Sequence, residues 1–156
     1  KYEVNMLQCL YLPNYNLNMI YVTRKEHFNA AHKVWRAEWS EEKNTEVFGK
    51  CANKNWHGHN YDLYVTVKGN PNPETGFVVD LKFLSKLIKS EIIEVLDHRN
   101  LNLDVPFMQG KMASTEILAI EIWKQLAPHI AKLGSNLHSI KLYETENNFV
   151  EYFGEE

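Results

Sequence analysis

Cysteine is nearly absent: Cys9 and Cys51 are the two in 156 residues. That is too few for a disulfide framework, so each reads as a thiol and a cytoplasmic setting is expected. No apolar run approaches the roughly 20 residues that span a bilayer. The first residues also lack the basic start, apolar stretch and small-residue cleavage site of a secretory signal. No membrane partner is expected. Basic runs are missing too, and with a formal net charge of −3 nucleic acid is not expected as a partner. A phosphorylated ligand would therefore need a local cluster of Lys and Arg. There is no Gly-rich dinucleotide fingerprint, no phosphate-binding loop and no serine nucleophile elbow. Any redox chemistry must then be internal to the substrate.

The chain is one domain long, with an ordinary apolar fraction of 44% and charged fraction of 24%. Residues 1–18 show no clean period and read as an N-terminal extension, packed on the surface or on a neighbouring subunit. Residues 19–156 read as the single domain. From Ile20 to His32 the chain is rich in β-branched and aromatic residues and predicts a strand. Residues 36–50 are polar, a long loop with a short helix near Ser40 to Val47. In HGHNYDLYVTVKG the period of two puts His57, His59, Tyr61, Leu63, Val65 and Val67 on one face. NPNPETG is a turn. Asp80 caps a helix with the stripe Leu81, Leu84, Leu87, Ile88, Ile92 and Val95. A second helix starts near Ser114, with Glu116 in its first turn, and Pro128 is expected to end or kink it. Strands over about Leu137 to Thr145 and Phe149 to Phe153 are joined by a tight turn at Glu146-Asn147-Asn148. The order strand, strand, helix, helix, strand, strand predicts an α+β domain: an antiparallel sheet with helices on one face.

His57 and His59 point the same way from their strand, on an apolar face where an unpaired imidazole is costly. An antiparallel neighbour brings His32 beside them, and three neutral imidazoles with an open position suit catalytic zinc. His27 lies on the other face. Cys51 is either a fourth ligand, which would make the site structural, or a base near the open position. Glu144 shares a face with Ile140 and Leu142, so its carboxylate turns to the core. It is either a salt bridge or strand-end cap, or an anchor for a planar edge bearing two N–H groups. Asp97-His98 follows a helix end, as a proton-transfer pair or a structural one.

FNAAH, C-x-N-x-N-x-HGHNY, LDHRNLN, STE and KLYETENN, in that order from about Ile20 to Tyr152, resemble the 6-pyruvoyl-tetrahydropterin synthase family. The resemblance implies the tunnelling fold, a four-stranded antiparallel sheet with two helices between strands 2 and 3. Three subunits would close a barrel and two trimers would stack into a homohexamer with sites between subunits. It makes His32, His57 and His59 the Zn2+ ligands, Cys51 the catalytic thiol, and Asp97 and His98 a dyad reaching in from an adjacent subunit. Glu144 becomes the pterin anchor, with Thr115 and Glu116 where relatives contact the ring.

The implied substrate is the small molecule 7,8-dihydroneopterin triphosphate, converted to 6-pyruvoyl-tetrahydropterin with loss of triphosphate, a lyase reaction serving tetrahydrobiopterin synthesis. Arg24, Lys25, Lys33 and Lys50 are the cations weighed for the triphosphate. A second branch makes 6-carboxy-tetrahydropterin for queuosine, a modified tRNA base. The Asn-bearing link between Cys51 and His57 favours the pyruvoyl branch. Rival readings are a non-catalytic zinc-stabilised pterin-binding scaffold and a zinc hydrolase with water as nucleophile.

Overall fold

β-Branched and aromatic residues without a breaker make Ile20–His32 one uninterrupted strand, β1. It pairs antiparallel with β2 (His57–Gly69) along its whole length, from Ile20↔Gly69 to His32↔His57. The chain is described over residues 19–154 in a computed structural model; the expected extension over residues 1–18, Cys9 included, lies outside them. On β2 the alternation holds: Tyr61, Leu63, Val65 and Val67 are fully buried, each such side chain contributing about 1.5–3 kcal/mol.

The link between β1 and β2 contains α1 (Glu41–Phe48), where the Ser40 hydroxyl accepts the Lys43 N–H at 3.3 Å. A single turn of 3₁₀ helix, Gly49–Ala52, then carries Cys51. Asn44 locks this link from inside. Its fully buried amide accepts the Arg36 N–H at 2.8 Å and donates to the carbonyls of Arg36, Trp39 and Ser40 at 2.9, 3.3 and 3.0 Å.

Asp80 caps α2 (Leu81–Ile88), accepting the Lys82 N–H at 2.7 Å. The helical path continues through a wide π-type turn, Lys89–Ile93, into α3 (Glu94–Leu96). The fully buried residues are Leu84, Ile88, Ile92 and Leu96. A spacing of four drifts around a helix of 3.6 residues per turn, and the wide turn absorbs the drift. Leu81 of the expected stripe is consequently exposed, and Leu87 and Val95 sit at the core margin.

Leaving α3, the chain forms a strand that no sequence pattern indicated, β3 (Arg99–Asn100). It runs parallel to β1, Ala30↔Arg99 and Ala31↔Asn100, because His98 N–H donates to Asn29 O at 2.6 Å and Leu101 N–H to Ala31 O at 2.8 Å. After it comes α4 (Thr115–Lys132), capped by Ser114. Pro128 does not end this helix, which continues to Lys132 and stops before Gly134 at φ 76°. Two strands complete the sheet: β4 (Asn136–Tyr143) beside β2 and β5 (Phe149–Tyr152) beside β4. Their connection is Glu144 to Asn148, wider than the expected tight turn and closed by Glu144 N–H to Asn148 O at 3.0 Å.

The strand order is β3-β1-β2-β4-β5. The fold is α+β as expected, but the sheet is mixed and five-stranded, since the short parallel β3 borders four antiparallel strands. α2 and α4 bury their stripes in the same core as the inner face of β2. Among the described residues no helix is long and apolar enough to cross a membrane.

Candidate active site

The register of β1 against β2 puts His32 directly opposite His57, and His59 opposite the small Ala30. One nitrogen from each of the three imidazoles lies within 4.8 Å of the others, a group able to hold a metal ion. Gly58 permits this, because a Cβ there would meet the Ala30 carbonyl oxygen at 3.2 Å. The His32 Nδ1–H donates to the Ala113 carbonyl at 2.7 Å, which leaves Nε2 for the cluster. His32 Nε2 and His57 Nδ1 are buried with no hydrogen-bond partner. Burial pushes the His32 imidazole below the usual histidine range and, helped by the charge His57 would carry, outweighs the pull of Ala113 and Glu144 in the other direction. Burial and His59 do the same to His57. Neutral, unpartnered nitrogens in a tight group fit a divalent metal.

A cavity of about 260 Å³ opens beside the cluster, lined by His32, Cys51, Thr115, Glu116 and Glu144, with the start of β5 at its rim. Cys51 is exposed and stands outside the three-histidine group. Its carbonyl accepts the Val34 N–H at 2.9 Å, so the turn that carries it is fastened to the end of β1. Glu144, one residue beyond β4, accepts the Thr115 hydroxyl at 2.7 Å and lies 3.5 Å from His32 Nε2 and 3.7 Å from His59 Nε2. Its orientation is therefore set by the first residue of α4 and by the histidine cluster.

Asp97 and His98 do meet: Asp97 Oδ2 is 2.8 Å from His98 Nδ1. The Asn29 N–H donates to Asp97 Oδ1 at 2.8 Å and, ahead of the smaller pull of His98, holds the carboxyl below the usual range. His98 is 78% exposed and lines a different concavity from the one holding Cys51. The two described non-glycine residues with left-handed backbone are His98 (φ 57°) and Trp56 (φ 67°), which directly precedes His57. Such conformations cost about 1–3 kcal/mol and gather at functional sites.

Of the four cations weighed for the triphosphate, Arg24 is paired with Glu26 at 2.8 Å and Lys25 with Asp62 at 2.7 Å. Lys33 lies between the indoles of Trp35 and Trp56, 4.4 and 4.8 Å from their centres. Lys50 adjoins Cys51 in the same turn. Asn29, which holds Asp97, and Asn44, which holds the link carrying Cys51, are residues whose part sequence reasoning missed. Asn is poorly suited to a strand interior, and that signal could have drawn attention to Asn29.

An α+β chain whose sheet carries three histidines able to hold a metal ion, beside a cavity with a thiol and an oriented carboxylate, has the parts of a metal-assisted enzyme. Residues 21–155 match the family model described as 6-pyruvoyl tetrahydropterin synthase, and the chain belongs to that family. It is 42% identical over 134 residues to the Homo sapiens 6-pyruvoyl tetrahydrobiopterin synthase, covering 86% of this chain and 91% of that one. The match to the Rickettsia typhi 6-carboxy-5,6,7,8-tetrahydropterin synthase is 28% over 150 residues, covering 85% and 99%. The solved structure of the Caenorhabditis elegans 6-pyruvoyl tetrahydropterin synthase superposes with a TM-score of 0.83 at 34% identity, covering 89% of this chain and 98% of that one.

Proposed function

We propose that this chain is a zinc-dependent lyase that converts 7,8-dihydroneopterin triphosphate to 6-pyruvoyl-tetrahydropterin with loss of triphosphate. The observation carrying the reading is the cavity lined by His32, Cys51 and the Thr115–Glu144 pair, beside the His32–His57–His59 group. Zinc on the three histidines would supply Lewis acidity toward the hydroxyls of the substrate side chain. Glu144 accepts two N–H groups of the 2-aminopyrimidinone edge, with Thr115 holding the carboxylate and Glu116 beside it. Cys51, as thiolate, removes a proton from the side chain. His98 carries protons between side chain and ring; Asp97 accepts its Nδ1–H, so Nε2 is the working nitrogen. The ring C=N is reduced while the side chain is oxidised, and triphosphate departs by elimination. No outside oxidant is needed. Lys33 and Lys50 are the cations we assign to the triphosphate.

His98 lines a different concavity from the one that holds Cys51 in its own chain. That supports a site shared between subunits, in which three sheets close a barrel of antiparallel strands and two trimers form a hexamer. Residues 19–156 constitute the working domain, and the thiol chemistry of Cys51 suits the reducing cytosol. Identity favours the pyruvoyl product over the carboxy product, at 42% against 28%. Mass analysis of products from zinc-loaded protein and 7,8-dihydroneopterin triphosphate tests this, with Cys51→Ala alongside. We expect 6-pyruvoyl-tetrahydropterin from the wild type and essentially none from the variant. Release of acetaldehyde and 6-carboxy-tetrahydropterin would move the chain to the other branch, and full activity of Cys51→Ala would remove the thiol from the mechanism.

A further inference from the structure

Lys33 is the first residue after β1, and Asn102 grips it on both sides. The Lys33 N–H donates to Asn102 Oδ1 at 3.0 Å, and Asn102 Nδ2 donates to the Lys33 carbonyl at 3.0 Å. The next residue, Val34, donates its N–H to the Cys51 carbonyl at 2.9 Å. The lysine backbone is therefore fixed between the segment that carries His98 and the turn that carries Cys51. Its neighbours on either side, His32 and Val34, line the Cys51 cavity.

The side chain is held as well. Lys33 Nζ lies 4.4 Å from the centre of the Trp35 ring and 4.8 Å from that of Trp56, and all three residues are half-buried. Indole faces attract an ammonium but do not neutralise it. Among the described residues no carboxylate pairs with Lys33, whereas Arg24, Lys25, Lys111, Lys124 and Lys141 each have one. An ammonium offers only donors, so this one is held in place with its charge free for an anion. Trp56 reaches it from a backbone that favours glycine. Its φ is 67°, in a turn closed by its N–H to the Asn53 carbonyl at 3.1 Å. Glycine would make that turn without strain. The turn gives no reason for an indole there, and the contact with Lys33 does.

Resting on the assignment of Lys33 to the triphosphate, we propose that Trp35 and Trp56 are positioning residues: their indoles cage the Lys33 ammonium and make it a preset site for the polyphosphate tail of the substrate. A free lysine loses much of its rotamer freedom when it binds an anion. A caged one has lost it beforehand, and binding is tighter for that. The two tryptophans act through Lys33 and not by touching the tail.

The test uses the zinc-loaded full chain, with inorganic triphosphate as the probe and 7,8-dihydroneopterin, which has the ring but no phosphate, as the control. Trp56→Gly, which relieves the backbone, should weaken triphosphate binding roughly fivefold and leave zinc content and 7,8-dihydroneopterin binding unchanged. Trp35→Leu should do the same from the other side of the cage. Trp56→Phe keeps an aromatic face and should bind nearly as wild type does. With the full substrate, KM should rise in Trp56→Gly while kcat holds. In a Lys33→Gln background neither tryptophan change should have a further effect. Wild-type triphosphate binding by Trp56→Gly and Trp35→Leu would overturn the proposal. So would an equal loss of 7,8-dihydroneopterin, or a Trp56→Phe variant as weak as Trp56→Gly. Lys33→Gln separates the two readings. If it binds triphosphate as wild type does, the assignment of Lys33 has failed and the cage with it; if it loses the anion while Trp56→Gly keeps it, only the cage has failed.

Discussion

Asn44 shows how far a single side chain can act. It makes four hydrogen bonds inside the loop that carries Cys51, and it is fully buried. Truncation would strip partners from several backbone groups shielded from water, each worth about 1–3 kcal/mol. We expect Asn44→Ala to lose about 2–3 kcal/mol, lowering the unfolding midpoint by roughly 5 °C or more. Thermal unfolding followed by circular dichroism would check this. An unchanged midpoint would mean that the loop is held by other contacts. At this scale the sequence was legible where residue type and spacing speak together, as for His57 and His59. It was not legible at Asn44, because nothing in a polar loop says which amide will turn inward.

At the scale of elements, α4 carries a buried carboxylate. Glu121 is almost fully shielded and is bonded to Lys111 and to Lys124, the latter at 2.9 Å. Burial alone would raise its pKa, but the hydrogen bonds and charges of Lys111 and Lys124 together outweigh burial and set it below the ordinary 4.5. The sign of the linkage follows. A depressed carboxyl contributes stability that is fully present above its unfolded value and is lost as pH falls through the folded one. Glu121→Gln should therefore lower the midpoint at neutral pH and narrow the gap to wild type on acidification through the carboxylate range. A constant gap across that range would show that packing, and not charge, holds Glu121. The same helix passes through Pro128 unbroken because its buried stripe, from Leu118 to Ile130, outweighs the one hydrogen bond that proline gives up.

For the whole molecule, the decisive fact is that Cys51 and His98 of one chain face different concavities. If they serve one site across a subunit boundary, mixed assemblies should recover activity. Cys51→Ala and His98→Ala, each inactive alone, would be unfolded and refolded together in equal amounts. Random assembly would leave about a quarter of the sites with both residues intact. We expect activity near that fraction, measured by product formation. No recovery, in assemblies shown to be mixed, would place both residues in the site of a single chain.

How much was written in the sequence follows from the range of each interaction. The strands β1 and β2, the caps at Asp80 and Ser114, and the inward face of the two histidines were legible because they depend on near neighbours and on a period of two or 3.6. The family resemblance supplied the roles expected of Cys51, Asp97, His98 and Glu144. What only the tertiary structure decided lies between segments distant in the chain. It set the register that puts His32 directly opposite His57, and the bond from Thr115 to Glu144 across 29 positions. It also made a strand of Arg99–Asn100, because the carbonyls of Asn29 and Ala31 accept the N–H groups of His98 and Leu101 on either side of them. Contacts of that kind leave no periodic trace, since the geometry that creates them exists only once the sheet has closed over the helices.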